Sequence, residues 1–80
     1  MSKALYTIEA SFKRNGQTID CSEPEILGSA SGAQYRSRRR AIEIAEEAQE
    51  AIDDAIKDGD VDPTTVVSVY KGRIQVWTSR

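Results

Sequence analysis

The dipeptide Asn15-Gly16 lies between two runs of alternating apolar and polar residues, and no other pair in the chain limits the fold as tightly. The central positions of a type I′ hairpin turn both need positive φ, which asparagine and glycine tolerate best. From Ala4 to Phe12 the pattern has period two, with Tyr6, Ile8, Ala10 and Phe12 on one face and Leu5, Thr7, Glu9 and Ser11 on the other. That is the pattern of a strand with one buried side. Closing the turn sets Phe12 opposite Ile19 and Ala10 opposite Cys21. Both pairs fall on the same apolar face, so turn chemistry and patterning specify one register independently.

A second hairpin is expected in "TTVVSVYKGRIQVW", which is rich in β-branched residues and broken at Lys71-Gly72. A two-residue loop there aligns Val69 with Ile74 and Val67 with Val76, at the cost of Lys71 in positive φ. A three-residue loop opposes Ser68 to Ile74 and mixes the faces, so the shorter loop is the expectation.

Between the hairpins the period changes to that of a helix. Ala41, Ile44, Ala45, Ala48, Ala51, Ile52, Ala55 and Ile56 fall within about 140° of arc, a stripe of small and branched residues that lets the helix lie close to a sheet. Gly59 supplies the C-terminal cap and Pro63 stops continuation. Two starts fit: a capping box of Ser31 and Gln34, or Ser37 capping a shorter helix. Glu23 to Ala33, containing Pro24 and the run "GSASG", reads as one extended loop with a flexible linker. The expected fold is α+β: a four-stranded antiparallel sheet of two hairpins, one long helix across one face, order ββαββ. Eighty residues make this a single domain spanning 1–80. Which strands are neighbours between the hairpins is left open.

Few residues suit catalysis. The chain has no histidine, the commonest general base and metal ligand. Cys21, expected on the buried face opposite Ala10, is a thiol in apolar surroundings and therefore inert. The helix carboxylates have nothing to desolvate them and make poor acid catalysts. "DGDVD" spaces Asp58, Asp60 and Asp62 like a calcium loop, but Pro63 stands where the loop needs glycine and Val69 where it needs a bidentate glutamate. "GSASG" lacks the lysine of a phosphate loop. The chain is expected not to be an enzyme, and no cofactor or metal is implied. A lone cysteine and an amino terminus without the apolar block of a signal peptide point to the cytoplasm. With no stretch of 18 apolar residues, no membrane span is expected.

The charges are polarised along the helix. Arg36, Arg38, Arg39 and Arg40 crowd its start beside Tyr35, while Glu43, Glu47, Glu50, Asp54 and Asp58 run along its solvent side, widened by Glu46 and Asp53. A helix dipole favours the opposite order by about 0.3–1 kcal/mol per charge, and like charges one turn apart cost about 0.2–0.5 kcal/mol each. Two readings stand: a solvated face, or a surface for a basic protein partner. The arginines likewise divide, Arg39 and Arg40 within reach of Glu43 or Glu47, Arg36 and Arg38 available to a ligand. With Tyr35 to stack on a base, and Lys71 and Arg73 in support, they form an alternative nucleic-acid surface. On the sheet face away from the helix, Leu5, Val66, Tyr70 and Trp77 are either a homodimer interface or a patch that Trp77 closes by folding over the sheet edge.

In its size, its lack of catalytic residues and the carboxylate row "EIAEEAQEAIDDAIKD", the chain resembles the small phage-encoded inhibitors called anti-CRISPR proteins, some of which imitate DNA. The resemblance is one of general design, without a shared motif. It implies a partner in a CRISPR effector complex, target DNA kept off that complex, a place of action in the host cytoplasm, and contacts through Glu43, Glu47, Glu50 and Asp54.

Overall fold

A computed structural model describes residues 5–80; Ala4, expected to open the first strand, lies outside them. Strand β1 (Tyr6–Arg14) turns through Asn15 and Gly16, both at positive φ (52° and 78°), into β2 (Gln17–Asp20). Phe12 faces Ile19, and the Cys21 amide donates to the Ala10 carbonyl at 2.8 Å. The register is the one the turn demands.

The segment after β2 departs from the extended loop expected of it. Pro24 starts a one-turn helix, α1 (Pro24–Leu27), a 3₁₀ turn follows over Gly28–Ala30, and β3 (Gln34–Tyr35) pairs with β1 through Tyr6 and Thr7. The missed signal is the spacing of Ile26, Leu27 and Ala30, which puts apolar side chains on one side of a short helical turn. Leu27 and Ala30 are buried and close one end of the core. "GSASG" is thus part of the core's wall and not a flexible linker. With β3 the sheet has five strands instead of four, and the chain order becomes β1-β2-α1-β3-α2-β4-β5.

Helix α2 (Arg38–Lys57) is 20 residues long and about 30 Å in length. It is followed by β4 (Val66–Lys71) and β5 (Ile74–Thr78). The two hairpins join through β1 and β4, with Ile8 opposite Val69 and Ala10 opposite Val67, in the antiparallel order β2-β1-β4-β5. Pairing the most apolar strand of each hairpin at the sheet centre puts all four of these side chains under α2. Ala10, Val67 and Val69 are at most 1 % exposed, as are Ala41 and Ala45 above them.

The second hairpin does not take the expected register. Its turn residues are Gly72 and Arg73, with Lys71 opposite Ile74 and Tyr70 opposite Gln75. Gly72, at φ 64°, takes the first turn position, as type II′ geometry prefers, and Lys71 is spared the left-handed conformation. Next the ladder shifts: Val69 pairs with Trp77, leaving Val76 as the extra residue of a bulge. A bulge changes which side chains share a face. Trp77, opposite the buried Val69, therefore lies on the helix side of the sheet, and the expected open-face cluster of Leu5, Val66, Tyr70 and Trp77 does not assemble. Gly72→Ala is expected to cost about 1–2 kcal/mol, read as a lower urea midpoint at unchanged slope.

The helix stripe is also rotated from the expected one. Ala41, Ala45 and Ile52 are buried as their spacing demands, but Gln49 is buried and Ala51 is exposed. The cause is a hydrogen-bond requirement of β4, described below.

Candidate functional site

Ser37 caps α2, its Oγ accepting the Arg40 amide at 3.2 Å. The alternative start is occupied otherwise: Ser31 Oγ donates to the Ser22 carbonyl, and Gln34 belongs to β3. The first turn of the helix therefore carries three arginines and no acid.

One of these arginines is anchored within the chain. Arg38 Nη2 donates to the Val76 carbonyl at 3.1 Å, bracing the bulge from above. Arg39 and Arg40 approach Glu43 at 3.8 and 3.6 Å, contacts worth little at such exposure. Tyr35 pairs with Tyr6 across the sheet and packs half-buried on the core. Of the four arginines beside Tyr35, Arg36 alone is exposed without an ion pair or side-chain hydrogen bond among the described residues. Arg38 is not available in the way its sequence neighbours suggest.

The carboxylates divide in a different way. Glu43 meets the two arginines, and Asp53, half-buried, pairs with Arg80 at 2.6 Å while accepting from Gln49 Nε2 at 2.9 Å. Glu46, Glu47, Glu50, Asp54 and Asp58 are exposed, and no ion pair among the described residues reaches them. At 100° per residue, positions 43, 47, 50 and 54 lie opposite the buried Ala45 and Ile52. The row thus points directly away from the sheet, with neighbouring members about 5–6 Å apart.

Gln49, missed at the level of sequence, organises the contact between α2 and the sheet. Its Oε1 accepts the Val67 amide at 3.0 Å and the Ser79 hydroxyl at 2.6 Å. Beside it Ser79 Oγ also accepts from Val67, and Arg80 leans across to Asp53. One amide side chain so ties the helix to β4 and to the residues that follow β5. Its signal in the sequence is position: a glutamine four residues after Ala45 and three before Ile52 belongs on the apolar stripe.

Two carboxyl groups titrate below their ordinary range. Gln49's amide, and behind it the Arg80 guanidinium, hold Asp53 low against a smaller opposing effect of desolvation. The Thr64 hydroxyl and amide hold Asp62 low, in a local turn where Asp62 Oδ1 accepts Thr64 N–H at 2.8 Å. A carboxyl lowered by folding contributes stability that is present above its ordinary value of 3.8 and is lost as the pH falls through the lowered one. Unfolding midpoints are accordingly expected to be flat from pH 7 to about 5 with respect to these two groups and to decline below about 4. Asp53→Asn should remove part of that decline in urea titrations at stepped pH.

Elsewhere the surface offers less chemistry. Cys21 is buried, and burial first, then Asp20, Glu23 and Asp62, push its thiol up and away from reactivity. No group of three potential metal-ligating side chains occurs among the described residues. The open sheet face is mostly polar, with Glu9, Ser11, Thr18, Asp20, Ser68 and Tyr70 around a shallow depression. Leu5, Val66 and Tyr70 are half-buried there. At the hairpin tip Lys71 sits 6.0 Å from the Tyr6 ring centre, and Arg73 is exposed in the turn. No helix among the described residues is long and apolar enough to cross a membrane. No protein-family model, curated protein or solved structure matches the chain, so its own surface is what bears on its function.

Proposed function

We propose that this protein is a small non-catalytic binding module whose acidic helix engages the basic, nucleic-acid-binding surface of a protein partner. One observation carries the reading. The chain contains 11 lysines and arginines, yet Glu46, Glu47, Glu50, Asp54 and Asp58 have no ion pair among the described residues. Like charges at Glu46 and Glu50, and at Glu50 and Asp54, each cost about 0.2–0.5 kcal/mol, a loss that a positively charged partner would reverse. The spacing of the row is comparable with that of phosphates along a nucleic-acid strand, so a groove built for a duplex meets similar charge. Complementary fields would speed the encounter, and occupancy would exclude the natural ligand.

Direct nucleic-acid binding is the weaker alternative, because Arg38 donates to the Val76 carbonyl and the carboxylates of the same helix stand within about one Debye length of the arginines. The resemblance to anti-CRISPR inhibitors makes a CRISPR effector complex, acting in the host cytoplasm, the first partner to test.

The double substitution Glu47→Lys with Asp54→Lys is expected to weaken capture of such a partner at least about tenfold. It should be measured by pull-down from nuclease-treated bacterial lysate and then with the purified partner. Duplex DNA should compete with the wild-type protein, and the wild-type protein should displace DNA from the partner. Capture indifferent to both charge reversal and DNA would rule the reading out.

A further inference from the structure

We propose that the depression on the open sheet face binds a primary ammonium group, held by the carboxylates of Glu9 and Asp20 and by the hydroxyl of Ser68. The strand register sets these side chains around one space. Glu9 on β1 stands opposite Ser68 on β4, and Ser11, two residues further along β1, stands opposite Asp20 at the end of β2. They lie on the face away from α2, in alternation with the buried Ile8, Ala10 and Val67. Partners on neighbouring strands are about 5 Å apart, and residues two apart on one strand about 7 Å. Together they line a depression of about 150 Å³, with Thr18 and Tyr70 completing its walls.

Ser68 separates this place from an ordinary polar surface. The residue is only 7 % exposed, yet its hydroxyl has no hydrogen-bond partner among the described residues and opens onto the depression. A polar group so enclosed is ordinarily paired. Its neighbours on the same face are paired: Thr18 accepts from the Lys13 ammonium, the Tyr70 hydroxyl donates to Gln75, and Asp20 Oδ1 accepts from the Ser22 hydroxyl. Left free among the described residues are the Ser68 hydroxyl, the Glu9 carboxylate and the second oxygen of Asp20, and neither acid is in an ion pair.

The free groups select the occupant. All are oxygens and two are anionic, so the occupant must be a positively charged donor. An ammonium is compact and carries three N–H donors, one for each free acceptor. A guanidinium is matched by a single carboxylate taken in two parallel bonds, whereas these carboxylates stand on different strands. Calcium needs six to eight oxygens, more than two carboxylates and a set of largely committed hydroxyls supply. The Tyr70 ring offers a wall for the methylenes behind the nitrogen. A free alkylamine and a lysine side chain share this chemistry. The site lies on the opposite face of the sheet from the acidic helix, so this inference stands or falls separately from the proposed function.

The test is a titration of the isotope-labelled full chain at constant ionic strength, followed by its backbone amide resonances, with n-butylammonium chloride and separately with N-acetyl-lysine methylamide. The amides of Glu9 and Ser68 should shift saturably, with a dissociation constant of about 1–10 mM, the strength open to a ligand of few heavy atoms. Binding of both probes alike assigns the site to a lysine side chain, and binding of n-butylammonium alone to a free amine. Tetramethylammonium, with the same charge and no donor, should not saturate. Glu9→Gln should weaken binding about tenfold and Ser68→Ala about fivefold. Thermal melts of both variants should match wild type, because neither side chain holds another part of the chain. Absence of a saturable shift up to about 50 mM, several times the expected constant, overturns the inference. So do equal binding of tetramethylammonium, an undiminished affinity in Ser68→Ala, or calcium binding at these amides more tightly than either amine.

Discussion

Gln49→Ala is expected to lower the unfolding free energy by about 2–3 kcal/mol, a large part of the total of roughly 4–12 kcal/mol available to a chain of this length. The reason lies at the end of β4 nearest the carboxyl terminus of the chain. Val67 is fully buried, and its amide points to where β5 has given way to Ser79, so the ladder alone does not satisfy it. Gln49 Oε1 supplies the acceptor and at the same time takes the Ser79 hydroxyl proton. Removing it leaves a buried N–H dependent on one remaining hydroxyl, frees Asp53 from its amide donor and opens a void under the helix. Gln49→Met keeps most of the volume and should recover about 1 kcal/mol of the loss, the part due to packing. Ser79→Ala should cost about 1 kcal/mol, and the double mutant should show coupling of about 0.5–1 kcal/mol because both side chains serve one amide. Urea unfolding at pH 7 followed by circular dichroism reads all four. Independent additivity of Gln49 and Ser79, or a Gln49→Ala cost below about 0.5 kcal/mol, the scale of an ordinary surface change, would show that the network does not hold the helix in place.

How far the sequence could be read depended on whether local chemistry or distant contacts decided each feature. Asn15-Gly16 and the flanking alternation are local, and the first hairpin follows them residue for residue. The helix, its Ser37 start among two candidates, and the Gly59 stop are local too. The second hairpin took neither of the two loops expected of it: Gly72 prefers the first turn position, where it relieves Lys71. That one-residue choice, with the bulge at Val76, changes the location of Trp77 and dissolves the predicted open-face patch. The spacing from Ala45 and to Ile52 could place Gln49 on the stripe, but its role required knowledge of an unpaired strand amide 18 residues away. For the candidate surface, the outward direction of Glu43, Glu47, Glu50 and Asp54 was legible from helical geometry. The engagement of Arg38 by Val76 and of Asp53 by Arg80 was not, because both are contacts between elements distant in sequence.

The acidic row and the core beneath it are linked through the small residues of the stripe. Alanines at 41 and 45 let α2 approach β1 and β4 closely, and this approach fixes which helix face turns to water. Ala45→Leu is therefore expected to destabilise the protein by about 3 kcal/mol, the upper part of the usual range for overpacking, because Ala45 has no exposed surface and meets a sheet whose Val67 and Val69 are equally enclosed. Ala51→Leu adds the same atoms on the exposed side of the helix and should change stability by only a few tenths of a kcal/mol, the difference in helix propensity between the two residues. In thermal melts the contrast corresponds to roughly 12–24 °C for Ala45→Leu against a shift of a few degrees at most for Ala51→Leu. The rotation of the stripe makes this comparison decisive. A helix seated on the expected stripe, with Ala51 inward and Gln49 toward solvent, would suffer at both positions, and its carboxylate row would turn by about 30–40°. Equal losses for the two substitutions would therefore overturn the packing described here. A large loss at 45 alone sustains the orientation on which the proposed binding surface depends.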